Sequence, residues 1–488
     1  MLQIVFIGVR ILYNLEQQFL ENFIPRYTQQ TKTSKLLRQS YRPVFADSQN
    51  SLGKGFSQVL KELFYPIVVK RSLGSRLWDI DDNEYIDLRM GLGCHLFGYN
   101  PPFIQEVLAD QLEKGVQVGL QPELVGEVAQ LICELTRMER ATFSNTGTEA
   151  VMTAVRIART VTGRDKIVIF SGSYHGHFDE ALVKAQMCDG DLYSVPIAPG
   201  ITLNSVKDVL VLDYDNPRSL EQIEAHKDEL AAVLVVPVQN YKPALQPKAF
   251  LQQLRKLTKE LGIALIFDEM VTGFRIHPGG AQAYFEVEAD IATYGKIIGG
   301  GLPIGVIAGK AMYMDAVDGG MWNYGDNSYP SAKTTFVAGT FCKHSLAIAA
   351  AHAVLKYLKA EGPLLQQQLN QRTTQFVRSL NSYLEENEVP IKVENFGSAF
   401  VFADSGSSES MRDIDKLSME LFRYHLLYRK IHVVGTCSYL STAHTDEDIN
   451  KIIKAVRDSV TELQQAGFLL PLPSSQKFSS LSSISKQV

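Results

Sequence analysis

Lys296 lies in Asp290-Ile-Ala-Thr-Tyr-Gly-Lys-Ile-Ile-Gly-Gly-Gly-Leu-Pro-Ile-Gly305, between a short β-like run and three consecutive glycines. Glycine has no Cβ, so backbone or a ligand can come close to the lysine. A lysine amine is one of the few side chains that form a Schiff base with a carbonyl compound. Most lysines, in contrast, are solvated surface charges. Ser144-Asn-Thr-Gly-Thr-Glu149 falls where a strand gives way to a helix. Amides at a helix N-terminus favour an anion, above all a phosphate. Thr146, Gly147 and Thr148 would line such a cup, and an ordinary helix cap accounts for the same pattern equally well. Ile266-Phe-Asp-Glu-Met270 closes an apolar run with Asp268. Open α/β sheets bind ligands at that end of a strand. A carboxylate there needs a partner: it either caps the next turn or pairs with a protonated ring nitrogen. Gln239, at the end of the preceding strand, can reach a neighbouring ring hydroxyl or simply belong to the loop.

Ser171-Gly-Ser-Tyr-His-Gly-His177 follows another strand. Tyr174 is suited to lie flat on an aromatic ring, and His175 to orient a bound group. A His-x-His pair can ligate a metal, but no third ligand of suitable spacing follows, so no metal site is expected and His177 reads as structural. Thr340, in Ala338-Gly-Thr-Phe341, either caps the helix that follows or contacts a phosphate from another subunit. Taken together these are a phosphate cup, a stacking aromatic, a carboxylate for a ring nitrogen and a Schiff-base lysine, in chain order. That set is what pyridoxal phosphate requires of a protein.

The elements that must position these residues are readable from the pattern. The 488 residues are 45% hydrophobic and 21% charged, with a net charge of −5. This is the balance of a globular protein of about three domains, without a basic run for nucleic acid. Five scattered cysteines without a Cys-x-x-Cys pair imply reduced thiols and a cytoplasmic location. Residues 1–45 read as a helical leader and linker. The apolar start carries no positive charge before Arg10 and is too short to span a bilayer. Residues 46–114 read as the N-terminal part of a small domain with an active-site loop. They hold two short strands in Ser75–Asp87, glycines at 91, 93 and 98, and a helix from Phe103 to Lys114. Residues 115–345 alternate helices (Leu124–Thr136, Glu149–Thr160, Phe250–Leu261) with apolar strands (Ala141–Ser144, Lys166–Phe170, Ala231–Pro237, Ile263–Phe267). Apolar runs without polar alternation fit parallel strands buried on both faces, and hence a doubly wound α/β core. Residues 346–466 return to a small domain. Its helices are Ser345–Lys359, Leu364–Glu386 and Asp446–Gln465, and strands are expected in Val393–Ala403 and Ile431–Val434. Residues 467–488 read as a disordered tail.

Four of these segments carry a family resemblance. Thr142-Phe-Ser-Asn-Thr-Gly-Thr-Glu-Ala150, Ser173-Tyr-His-Gly-His177, Phe267-Asp-Glu-Met-Val-Thr-Gly-Phe-Arg275 and Gly295-Lys-Ile-Ile-Gly-Gly-Gly-Leu-Pro-Ile-Gly305 resemble the class III aminotransferases, over roughly Leu63 to Gln465. Within that class the chain is similar to glutamate-1-semialdehyde aminomutase. Through Tyr65-Pro-Ile-Val68, Phe97-Gly-Tyr-Asn-Pro-Pro-Phe103 and Leu245-Gln-Pro-Lys-Ala-Phe250 it is more similar still to the aminotransferase domains of polyketide/non-ribosomal peptide synthases.

The resemblance implies an α/β, fold-type-I pyridoxal phosphate transferase. Its large doubly wound, mostly parallel sheet domain is joined by a smaller α+β domain from the chain ends. It implies Lys296 as Schiff-base lysine and proton shuttle, Asp268 beneath the ring nitrogen, and Gly147 and Thr148 around the phosphate. Tyr174 would stack on the ring and Gln239 would neighbour its hydroxyl. Thr340 would reach the neighbouring subunit's phosphate, which implies a homodimer with shared sites. The implied activity is amino transfer from an amino-acid donor to an aldehyde or keto acceptor in secondary metabolism. A β-keto acyl group on an acyl carrier protein is the expected acceptor. The alternative is a 2,1-aminomutase, and a catalytically silent synthase scaffold is a third reading. Two positions depart from the aminomutase pattern: Leu92 stands where that enzyme has tryptophan, and Thr436 where it has glutamate. Both favour a larger or less polar substrate.

Overall fold

The computed structural model describes residues 2–48, 58–188, 191–404, 412–433 and 437–470. Its centre is a seven-stranded sheet with the spatial order Arg140–Ser144, Gly305–Gly309, Ile291–Gly295, Ala264–Asp268, Leu230–Val235, Lys166–Phe170, Val209–Leu212. Gly305–Gly309 runs antiparallel to both neighbours, and the other strands share one direction. Leu230–Val235 and Ala264–Asp268 are buried at every position. The reason is the period of a strand, which sends successive side chains to opposite faces. Leu265 and Phe267 pack with Leu251 and Leu254 of the helix Lys248–Leu261 on one face. Ala264 and Ile266 pack with Val151, Ala154 and Ala158 of the helix Gly147–Thr162 on the other. The strands therefore deliver Ser144, Phe170, Asp268 and Gly295 to one edge of the sheet, and the chemistry-bearing residues follow them.

The fold is the expected doubly wound, mostly parallel α/β sheet. Some strands were not legible in advance. Val209–Leu212 is only four residues long. Gly305–Gly309 is bounded by glycines that read as a turn. The hairpin Val183–Cys188 with Asp191–Pro196 lies over the sheet edge without a continuous apolar run. In the smaller sheets, Arg76–Asp79 and Glu84–Asp87 form the expected hairpin, extended by Val69–Leu73. Ile431–His432 adds to it in parallel, while Val434 lies outside the described residues. Val393–Ala403 resolves into two strands, Ile391–Phe396 and Ala399–Asp404, that turn at Gly397. Gly397 has φ 59°, and a Cβ there would stand 2.7 Å from Ile276.

The leader is a pair of helices, Leu2–Gln30 and Lys32–Tyr41. It is docked on the turn at Asp81 and on the helix Arg412–Tyr428. Phe23 stacks on Phe19 at 5.5 Å and on His425 at 5.1 Å, and it meets the Tyr428 ring edge-on. The Asp81 carboxylate accepts the backbone N–H of Thr33 at 2.7 Å and of Ser34 at 3.1 Å. Thr31 Oγ1 and the Tyr65 hydroxyl are hydrogen-bonded at 2.7 Å. The expected disordered tail begins too early: Phe468 and Leu469 are buried in the main core. Phe468 meets Phe19 edge-on at 5.8 Å. Two large apolar side chains after the last helix close the gap between it and the leader. The remainder of that tail, 471–488, lies outside the described residues. Removing the Phe23 ring leaves a cavity among packed aromatics, so Phe23→Ala should cost about 3 kcal/mol in urea unfolding. A loss below about 1 kcal/mol would mean that the leader does not pack this way.

Candidate active site

Lys296 is the first residue past the strand Ile291–Gly295 and opens a single helical turn, Lys296–Gly299. Its φ is 47°, left-handed and costly for a residue with a Cβ. Burial pulls the pKa of its amine below the ordinary lysine value, and the Asp268 carboxylate pulls it partly back up. Among the described residues that amine makes no hydrogen bond or ion pair. Asp268 ends the neighbouring strand and is paired in register with Thr293. Its Oδ2 is 2.9 Å from His175 Nδ1, and its Oδ1 accepts Met270 N–H at 3.2 Å. Both side chains are buried, Asp268 to 4% and His175 to 1% exposure. The His175 Nε2 is buried too and has no hydrogen-bond partner among the described residues.

The Ser144–Glu149 stretch folds as a cap and leaves a cup beside it. The Thr146 hydroxyl accepts the Glu149 N–H at 3.2 Å, and the Glu149 carboxylate accepts the Asn145 N–H at 2.7 Å. Thr148 Oγ1 lies 3.2 Å from His177 Nδ1. The N–H groups of Gly147 and Thr148 belong to the orphan donors of a helix start. Two glycines keep this region tight. A Cβ on Gly147 would stand 2.8 Å from the Met270 sulfur, and one on Gly176 would stand 2.6 Å from Thr148 Oγ1. Gln239 Nε2 donates to Ser171 O at 2.9 Å and to Ser173 Oγ at 3.1 Å. It thereby ties the segment after Leu230–Val235 to the 171–177 loop. Tyr174, in that loop, leaves 66% of its surface exposed.

Lys296, Asp268, His175, Gln239 and the 146–148 cup thus stand at the same edge of one sheet. A free buried amine, a paired buried carboxylate and orphan amides at a helix start fit a cofactor that carries a carbonyl, a basic ring nitrogen and a phosphate. Thr340 makes no hydrogen bond to these residues. It does not cap the next helix either, because His344 occupies that place. Leu92 is 51% exposed in a left-handed turn. Thr436 lies outside the described residues.

Sequence reasoning assigned no role to two buried charges. Glu269 accepts Thr272 Oγ1 at 2.6 Å, Ala281 N at 2.8 Å and Gln282 N at 3.0 Å. Burial pushes its carboxyl up to about 7. It fixes the turn that follows Asp268. Arg275 is buried at 1% exposure. The only signal for either was a charge inside an apolar stretch.

The comparisons with known proteins agree with this geometry. A profile described as "Aminotransferase class-III" matches residues 58–459. The glutamate-1-semialdehyde 2,1-aminomutase of Archaeoglobus fulgidus is 34% identical over 429 residues, which span 86% of this chain and 99% of that one. An omega-transaminase from Sphaerobacter thermophilus superposes with a TM-score of 0.78 at 29% identity, covering 89% of this chain and 97% of that one. A transaminase with pyridoxal phosphate bound superposes with a TM-score of 0.77 at 28% identity, covering 88% and 98% of the two chains. The chain belongs to the class III aminotransferases, enzymes that depend on pyridoxal phosphate. Among the described residues no helix is long and apolar enough to cross a membrane.

The two influences on Lys296 can be separated. Asp268→Asn removes the charge that raises its pKa, so the amine should become neutral at a lower pH than in the unmodified chain. Reductive ¹³C-methylation followed by NMR titration of the cofactor-free protein reads this directly. An upward shift on substitution, or none, would contradict the assignment.

Proposed function

We propose that the chain catalyses a glutamate-1-semialdehyde-type 2,1-amino shift, in which an amino group moves between neighbouring carbons of one small molecule. The observation that carries this reading is kinship along nearly the whole of the Archaeoglobus aminomutase. Pyridoxal phosphate, when bound, supplies a carbonyl that captures amines and a ring that accepts electrons from the adjacent carbon. Lys296 is the amine that would hold that carbonyl, and the same amine would take the proton from the substrate carbon and return it. A lowered pKa leaves more of the amine neutral and able to act as a base. Asp268 would hold a proton on the ring nitrogen, and a His175 Nδ1–H directed at Oδ2 orients its carboxylate. The Gly147 and Thr148 amides, with Thr146 at the helix cap, hold the phosphate. Tyr174 covers the ring face. Both donor contacts of the Gln239 amide are used within the protein, so its carbonyl oxygen is the atom offered to the ring hydroxyl.

Thr340 completes the phosphate site of the neighbouring subunit, in a homodimer. The stretch leading to it supports a covered surface, with Met321, Tyr324 and Phe336 at 77%, 92% and 78% exposure. Cysteines left as thiols suit a cytoplasmic enzyme.

A second reading is amino transfer between molecules, from an amino-acid donor to an aldehyde, a keto acid or a β-keto acyl group on a carrier protein. One observation favours it: Leu92, half-exposed where the aminomutase pattern has tryptophan, leaves room for a larger acceptor. Nitrogen labelling separates the two. With ¹⁵N-glutamate as external donor, a product without label supports the amino shift, and a labelled product establishes transfer. Lys296→Ala should slow either reaction by roughly 10²–10⁴-fold. Undiminished turnover in that variant would sink both readings.

A further inference from the structure

Met90, Gly91, Leu92 and Gly93 all have positive φ, at 45°, 61°, 59° and 89°. Two of the four carry side chains that the left-handed region disfavours, so the turn persists only if its surroundings hold it. Asp87 holds the start. Its carboxylate accepts the Arg89 and Met90 N–H groups, both at 2.9 Å. The Tyr99 hydroxyl at 2.7 Å and His432 Nδ1 at 2.6 Å fix that carboxylate in turn.

Arg275 holds the end. Its Nη2 donates to the Gly93 carbonyl. Its Nη1 donates to Ser398 Oγ at 3.1 Å, and its Nε to the Val271 carbonyl at 3.1 Å. The guanidinium lies 4.6 Å from the centre of the Tyr439 ring. A Cβ on Gly93 would stand 2.9 Å from both Arg275 Nη2 and that ring, so no larger residue fits. One side chain thus joins the segment after Asp268, the left-handed turn, the small-lobe turn at Ser398 and the strand Ser438–Tyr439.

A buried cation close enough to depress the Lys296 amine invites the assignment of carboxylate receptor. Its bonds point elsewhere, because donors on all three of its nitrogens, and its ring contact, serve the protein's own chain. We propose that Arg275 is a positioning residue that locks the left-handed Met90–Gly93 turn, and with it Leu92, into a rigid wall of the substrate pocket. Substrates are then selected by bulk and apolar shape beside Leu92 rather than by a charge at Arg275. This rests on Lys296 and Asp268 as the reacting centre.

The first test needs neither cofactor nor turnover. In the cofactor-free full chain, Arg275→Lys should speed hydrogen–deuterium exchange in peptides spanning 88–99 by about tenfold, because a point charge replaces the three-way fork. Peptides over 264–268 should be unchanged. Ser398→Ala, which keeps the charge, should speed the same 88–99 peptides by a smaller factor. Exchange at 88–99 that neither variant alters overturns the proposal. The second test compares, in the holoenzyme, an amino aldehyde substrate that carries a carboxylate with its analogue lacking that carboxylate. Arg275→Lys and Leu92→Gly should each raise KM for both substrates alike, on the order of tenfold, with the absorbance of the bound cofactor retained. A loss confined to the carboxylate-bearing substrate makes Arg275 a carboxylate receptor and overturns the proposal. Loss of the cofactor absorbance in the unmodified chain would instead strike the functional reading, leaving the exchange result intact.

Discussion

Asp268 brings a carboxylate to the end of a strand that is buried on both faces, and the site is organised by how that charge is met. In a low-dielectric setting an isolated carboxylate would take up a proton and lose its use. Here two elements answer it: His175 from the loop after the next-but-one strand, and the Met270 amide from its own turn. Lys296, one strand over, feels the same charge as a partial offset to its burial. The parallel sheet fixes these separations, since each residue stands at the carboxyl end of its strand and register leaves little freedom. Glu269 then fixes the turn beyond by accepting two amides and a hydroxyl. The site is therefore set by sheet register before any mobile loop contributes.

What was legible in the sequence follows from locality. Lys296, Asp268 and the 144–149 cup each announce themselves within a few residues, through glycines, an apolar run or a helix start. The alternation of apolar runs and helical periods likewise carries the doubly wound sheet. What was not legible depends on contacts across long separations. The His175–Asp268 bond joins residues 93 apart, and the Arg275–Gly93 bond residues 182 apart. The left-handed turn at Met90–Gly93 cannot be read locally either, because neither Met90 nor Leu92 prefers it. Similarity in three short segments drew the expected substrate towards carrier-bound acyl chains. Kinship over 86% of the chain draws it towards the aminomutases.

Arg275 and Asp87 both use the protein's own backbone as a partner, which buries charge without leaving it unmatched. This arrangement stiffens the left-handed turn that carries Leu92.

The docked leader has a consequence for how the chain is made. Arg26 meets Tyr428 across a separation of 402 residues. At ordinary rates of synthesis, roughly 20–80 s pass between the emergence of the leader and that of its partners. During that time Phe19 and Phe23 lack His425, Tyr428 and Phe468, the rings that meet them in the folded chain. The leader is thus made long before the segments that complete its burial, and its apolar rings stay open to solvent or to other chains until then.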